Sequence, residues 1–273
     1  WVAMVNRITD PHRIFPGQKL IIPTRLLKGI PIDGLVTFIK GVVSIKLAEA
    51  EDWKRLQLND KITQGNWIRT SDQGTIEISF QNHFSVLLRP NTLIEITAAR
   101  EKSAIYLMYK LFLDIGKAIS KIKQSTGKET RFEIKTPSAV AAARGTEFRT
   151  GVDSDVTTRL EVLAGPVDVQ AAKQKVAIQA GQGTVVKKDQ RSAVPVKLLP
   201  PPAIVNLQPL YRAMPLDFQF ENIAGASAYR VMLARDKTFK DLVKNKVITP
   251  QETLTIVGVE DGPYFLQSRS IDD

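Results

Sequence analysis

Cysteine is missing from all 273 residues. That one absence removes disulfides, thiolate nucleophiles and cysteine-based metal sites together. Histidine is almost as scarce. His12 and His83 lie far apart, each in a predicted loop, and neither has a second ligand at a spacing that would hold a metal. Long apolar runs are lacking too. The longest, Ile105 to Ile122, is broken by Lys110, Asp114, Gly116, Lys117 and Lys121, short of the ~20 apolar residues that a membrane-spanning helix needs. Acidic residues are outnumbered, 28 against 38 Lys+Arg, for a net charge of +10. Such a surface favours polyanions: nucleic acid, anionic lipid heads or carboxylate-bearing wall peptides. The basic clusters Lys117, Lys121, Lys123, Lys128, Arg131 and Lys187, Lys188, Arg191 carry no interleaved aromatics for base stacking. They read as solvated faces, and nucleic acid is not an expected partner.

Catalytic signatures are equally thin. No Gly-x-Ser-x-Gly elbow occurs. Gly127-Lys128 superficially suggests a phosphate loop, but Ile122 stands where its first glycine belongs and Glu129 where its Mg²⁺-binding hydroxyl belongs. Gly181-Gln182-Gly183 lies in a β context without the strand-to-helix setting of a dinucleotide fingerprint. No pair of carboxylates singles itself out for glycoside hydrolysis. The expectation is a protein that is not an enzyme, with no catalytic residue, no metal and no cofactor.

What the chain does contain is β-strand texture. Short alternating runs, usually opened by glycine, recur from Asp33 to about Val194: Gly41–Ile45, Gly74–Phe80, Leu160–Leu163 and Gly165–Val169. Spaced by Asn, Asp and Gly turns, they predict a mainly β fold, a sandwich, barrel or solenoid-like sheet. Residues 104–122 fit two patterns. Ala104, Met108, Leu111, Ile115, Ile119 and Ile122 make a helical stripe, whereas Ile105, Leu107, Tyr109, Leu111 and Leu113 alternate. Gly116 argues against one long helix, so a strand to about Ile115 is favoured, followed by a second strand or a short turn. Leu198-Leu199-Pro200-Pro201-Pro202 reads as a stiff extended linker. Beyond it, alternating aromatics (Phe218, Phe220, Tyr229, Tyr264) suggest a second β-sandwich, with its final strand cut off.

Three resemblances cover nearly the whole chain. Trp1, Asn6, Ile8, Asp10-Pro11, Ile14, Pro16-Gly17-Gln18, Leu20 and Pro23 resemble the second half of a LysM module, with a helix ending near Asn6 and a strand at Lys19–Ile22. The first half is absent, so the chain looks like a fragment that begins inside a domain. The central region resembles the FecR domain of the bacterial envelope. Gly34, Val36, Gly41, Val43, Trp53, Leu58-Asn59-Asp60, Ile68-Arg69-Thr70, Pro90-Asn91-Thr92, Gly116-Lys117, Thr136–Phe148, Gly165-Pro166-Val167 and Ala180-Gly181-Gln182 carry that likeness. Asn82-His83-Phe84 departs from the family's usual Asp-Gly-Ser turn. Phe218-Gln219-Phe220, Gly225–Arg230 and Asp261–Tyr264 resemble a fibronectin type III-like sandwich. The implied organisation is 1–24 LysM-like, 25–195 FecR-like, 196–206 Pro-rich linker and 207–273 fibronectin type III-like.

These resemblances imply where binding would occur. LysM modules bind N-acetylglucosamine-containing glycan, and here Asp10 and Arg13 would hydrogen-bond the sugar while Ile14 or Phe15 packs on its face. The bland reading makes Ile8, Ile14 and Leu20 core residues. Arg144, Gly145, Thr146 and Glu147 form a possible partner motif, Arg144 offering a planar fork of donors. Its bland reading is a structural Arg144–Glu147 pair. Exposed strand edges in both β domains would suit strand addition. Because a LysM-like piece directly precedes the FecR-like region, the expected function is a periplasmic, cell-envelope tether of a Gram-negative bacterium. It would hold peptidoglycan and scaffold envelope proteins within a larger assembly, with no transmembrane segment in this chain. The alternative is a FecR-type periplasmic signalling ectodomain that senses a partner and regulates a sigma factor.

Overall fold

A computed structural model of the chain describes residues 2–10, 12–23, 27–81, 83–123 and 129–272. The chain divides into two compact units, Trp1–Pro195 and Val196–Asp273. The first opens with one helical turn, α1 (Val2–Val5). Strands follow: β1 (Ile30–Pro31), β2 (Gly34–Lys40), β3 (Val43–Lys46), β4 (Lys54–Arg55), β5 (Lys61–Ile62), β6 (Trp67–Thr70), β7 (Thr75–Phe80), β8 (Phe84–Leu88) and β9 (Leu93–Ser103). Then come β10 (Tyr106–Ile122), β11 (Glu129–Lys135), β12 (Val140–Ala143), β13 (Glu147–Val152), β14 (Thr158–Ala164), β15 (Val167–Ala171), β16 (Gln174–Ile178) and β17 (Gln182–Val186). The second unit holds β18 (Val196–Lys197), β19 (Leu216–Phe218), β20 (Ala228–Ala234), β21 (Leu242–Ile248), β22 (Leu254–Ile256) and β23 (Phe265–Ile271). The mainly β architecture follows from the alternation: strand after strand buries every second side chain.

Two curled sheets close the first unit into a barrel. The first sheet runs β4–β3–β6–β9–β10–β11–β12–β15–β16. The second runs β5–β2–β7–β8–β10–β13–β14–β17. Each of these pairs is antiparallel except β10–β11, where Tyr106 lies beside Glu129. Among the described residues β4 and β16 end the first sheet and β5 and β17 end the second, each with one partner strand.

β10 belongs to both sheets. Its first part pairs with β9 and β11, its last with β8 and β13. Leu107, Tyr109, Leu111 and Leu113 are buried in the first part, Ala118, Ser120 and Ile122 in the last. The inward set thus switches from odd to even numbers, and Gly116 stands at the switch with φ +100°. A side chain there would strike Thr92, since a Cβ would lie 2.5 Å from the Thr92 Cα and 2.6 Å from the Asn91 carbonyl oxygen. The sequence expectation of a strand ending near Ile115 is correct for the pairing. What continues is the same strand, bent, and the helical stripe was coincidental.

Five rings join the sheets across the barrel interior. Phe80 and Phe84 stack at 5.4 Å, Tyr109 sits 5.5 and 5.3 Å from them, Phe84 meets Phe132 at 4.6 Å and Phe132 meets Phe148 at 5.8 Å. Such offset and tilted pairs add to the stabilisation from apolar burial. The Tyr109 hydroxyl finds no hydrogen-bond partner among the described residues. Burial, with the Glu101 carboxylate adding to it, pushes the phenol up to about 12.

The second unit packs a two-stranded sheet, β19–β22, and a three-stranded sheet, β21–β20–β23, around Phe218, Tyr229, Val231, Leu233, Leu254 and Ile256. The Tyr229 hydroxyl donates to the Glu221 carbonyl at 3.0 Å and accepts from the Ile223 amide at 2.8 Å. The proline run is anchored to this unit: Ser268 and Ser270 donate to the Pro202 and Pro200 carbonyls at 2.7 and 2.6 Å. Proline carbonyls accept well and have no amide left unpaired.

Two stability changes follow from the barrel. Gly116→Ala costs about 2–4 kcal/mol, combining a left-handed backbone for alanine with overpacking against Thr92. Urea denaturation of the two proteins measures it, and a loss below 1 kcal/mol contradicts the corner role. Tyr109→Phe deletes a buried hydroxyl that makes no bond among the described residues, so its stability is unchanged or up to about 1 kcal/mol higher. A clear loss in the same assay shows that the hydroxyl is bonded.

Candidate functional site

The opening segment has the expected helical turn, Val2–Val5, but not the expected strand. Lys19–Ile22 makes no strand. Asn6 holds this stretch instead, its amide nitrogen donating to the Ile21 carbonyl at 2.7 Å and its oxygen accepting the Ile21 amide at 2.6 Å. Asp10 accepts the His12 amide at 3.0 Å and meets Arg13 at 3.5 Å, so its carboxylate serves its own turn. Ile14 and Phe15 are 50% and 69% exposed and belong to no core, which removes the bland reading of Ile14 as well. Trp1 and Pro11 lie outside the described residues, as do Asn82 of the atypical hairpin and the Gly127-Lys128 pair.

Arg144 and Glu147 do not pair with each other. Arg144 reaches Glu129 at 2.5 Å, and Glu147 reaches Lys121 at 3.0 Å. The reason is local. Gly145 bends the chain with φ +59°, and Glu147 starts β13 on the face where Lys121 of β10 is its cross-strand neighbour. Between them Thr146 is buried and its carbonyl accepts the Ile122 amide at 2.8 Å. Beside this turn lies a cleft of about 370 Å³ with Arg131, Arg144, Lys175 and Asp168 on its rim and Ala142 and Ala143 in its lining. Each rim cation already has a carboxylate: Arg131 with Glu133 at 2.6 Å, Arg144 with Glu129, and Lys175 with Asp168 at 2.8 Å.

Other residues that carried the family likeness turn out to be joints. Thr92 is the hub of one. Its hydroxyl donates to the Arg89 carbonyl at 2.7 Å and accepts the Lys117 amide at 3.0 Å, while its own amide donates to the Thr70 hydroxyl at 2.8 Å. Thr136 forms another, its hydroxyl lying 2.7 Å from that of Thr158 on β14, so the β11–β12 turn is tied to the second sheet. Gly165 is a third, where a Cβ would lie 2.8 Å from the Gly145 carbonyl oxygen. These residues shape the barrel and leave its surface to others.

The outward face of the first sheet carries what the sequence did not reveal. Cross-strand register places Lys46, Trp67, Glu95, Phe112 and Lys135 in one row over β3, β6, β9, β10 and β11. Trp67 meets Phe112 edge-on at 6.1 Å between ring centres. Trp53, just before β4, stacks under the Arg69 guanidinium at 4.4 Å with the Lys46 ammonium at 5.9 Å. Burial raises the Glu95 carboxyl above its ordinary value. Only the pairing of strands brings these side chains together. A sequence signal was available in one form, the cluster Trp53, Trp67 and Arg69 around two short strands.

Among the described residues no group of three or more His, Asp or Glu side chains could hold a metal ion, and no helix is long and apolar enough to cross a membrane.

Residues 66–168 match the FecR protein family. That span begins beside β6 and ends in β15, so it includes the bent strand, the five-ring cluster and the Thr92, Thr136 and Gly165 joints. The opening residues Gly34 to Asp60 and the closing Ala180–Gln182, which share the likeness, fall outside it. Two crystal structures of a "putative anti-sigma factor" from Parabacteroides distasonis are similar over 48% of this chain and 59% of theirs. Their identities are 15% and 16% and their TM-scores 0.40 and 0.39. Likeness at that level does not define a shared fold. No curated relative matches. The FecR match overturns the expected peptidoglycan tether. That expectation rested on residues 1–24, which lie outside the match.

Beside the cleft, Glu133 tests the electrostatics of this face. Desolvation pushes its carboxyl up, but Lys110 at 2.8 Å and Arg131 outweigh it and hold the group below its ordinary 4.5. A depressed folded-state value means the stabilisation is whole above about 4.5 and fades as pH falls through the folded value. Glu133→Gln therefore lowers stability by about 1 kcal/mol at pH 7, the usual size for a well-formed, partly exposed pair. The gap between the two proteins closes toward pH 3, which thermal melts across that range will show.

Proposed function

We propose that this chain is the receiving part of a FecR-type signalling system: an ectodomain facing the periplasm that takes up a protein partner and thereby regulates a sigma factor. The single observation that carries the reading is the FecR match at 66–168. It covers the bent strand β10 and the five-ring cluster, and it supports a FecR-type role over the wall tether. In this reading residues 25–195 are the FecR-like domain, 196–206 its connection and 207–273 a fibronectin type III-like unit. Two small sheets packed on the Phe218–Tyr229 core support that last assignment. Residues 1–24 contribute nothing to it, and the unit that joins a partner is the barrel. The role is regulatory and non-enzymatic.

In-frame removal of residues 27–195 from the native gene tests the reading, with transcript profiling of the mutant and parent strains. The expected result is a coherent set of transcripts, sharing one promoter class, that changes at least several-fold. An unchanged transcript profile rules the reading out. A fusion of alkaline phosphatase after residue 195, active only outside the cytoplasm, checks the compartment independently.

A further inference from the structure

The cleft beside Arg144 is the obvious hollow in the first unit, but its cations are already matched with carboxylates. The outward face of the first sheet differs. Among the described residues Lys46, Arg69 and Lys135 have no carboxylate at ion-pair distance, although they surround three partly exposed aromatic rings. Trp and Arg are the side chains that dominate protein–protein hot spots, because each offers large, stiff contact area with a polar handle.

The geometry points to this face, centred on Trp53, Trp67, Arg69 and Phe112, as the docking surface for an acidic segment of a partner protein. The inference rests on the signalling reading above and names the chemistry of its partner. Charge complementarity selects the occupant. In the row Lys46–Trp67–Glu95–Phe112–Lys135 the order is cation, ring, acid, ring, cation. Its complement is acid, apolar, donor, apolar, acid. Five strands at ~4.8 Å spacing put the outer cations about 19 Å apart, which an extended segment covers in about six residues. A lipid surface or a DNA duplex matches the cations and leaves the rings and Glu95 unmatched, whereas single-stranded DNA can stack bases on the rings but sets its phosphates against the Glu95 carboxylate. The sequence shows no comparable pattern on the Lys187, Lys188, Arg191 cluster, which has cations without aromatics.

Binding by the full chain is read from tryptophan fluorescence and from the anisotropy of a labelled ten-residue peptide with glutamates six residues apart flanking leucines. Ten-nucleotide single-stranded DNA and phosphatidylglycerol vesicles serve as rival polyanions. The expected result is saturable peptide binding that weakens at least tenfold in the Lys46→Glu/Arg69→Glu double variant. It is unchanged in Lys187→Glu/Lys188→Glu, which alters net charge equally. Trp67→Ala weakens it with all cations in place, and melting curves confirm that each variant folds. Absent peptide binding, equal losses in both double variants, or tighter binding of DNA or vesicles each overturns the inference. In cells, the Lys46→Glu/Arg69→Glu variant is expected to reproduce the transcript change of the 27–195 deletion. If the deletion acts and the variant does not, this surface is wrong and the signalling role stands. If neither acts, the signalling role fails as well.

Discussion

A strand that serves two sheets must change which of its side chains point inward. Successive residues alternate faces, and the two sheets present opposite sides to one core. β10 solves this at Gly116, whose positive φ and missing Cβ let the chain turn against Thr92. Much of the first unit depends on that corner. It sets β11 parallel beside the first half of β10 and β13 antiparallel beside the second. Both sheets then contribute rings to one aromatic cluster. The Thr92 hydroxyl, bonded to β10 through the Lys117 amide, fixes the same corner from the other side.

What the sequence made legible follows from the range of the forces involved. Alternation is local, so the β class and most strands could be read directly, and glycine-opened turns marked their starts. Gly116 was readable as an interruption but not as a bend, because its meaning depends on Thr92, distant in sequence and adjacent in space. The opening segment misled for a related reason. Pro16-Gly17 does specify a turn, and Asn6 does hold the chain near Ile21, yet a strand at Lys19–Ile22 needs a partner strand and has none among the described residues. Arg144 and Glu147 were close in sequence and so looked like a pair. Lys121, its cross-strand neighbour, took Glu147, and Glu129 of β11 took Arg144.

The residues that carried the family likeness and those that build the candidate surface are largely different sets. Thr70, Thr92, Gly116, Thr136, Gly145 and Gly165 are joints, where a hydroxyl bonds a backbone group or where a positive φ or a close approach requires glycine. Joints impose narrow chemical requirements, so they leave a readable motif in one sequence. A docking surface imposes looser ones: a ring here, a cation there, set by register across five strands. Trp53 and Arg69 are the exceptions, since both belong to the likeness and to the surface. A motif of this kind therefore identifies a scaffold, and the specificity of that scaffold has to be sought on its faces.

That division has an energetic side. Lys46, Trp67, Glu95, Phe112 and Lys135 all project from paired strands, not from loops, so ordering them on association costs less than ordering free side chains would. Glu95 supplies a second argument from the same place. Its carboxyl is raised by desolvation, which means that the ionised form is held at a cost near neutral pH. A partner that brought a hydrogen-bond donor between its two acids would relieve that cost on docking, and the relief would be absent for partners with acids alone. The row would then discriminate by its centre as well as by its ends, attracting acidic segments through Lys46 and Lys135 and selecting among them at Glu95.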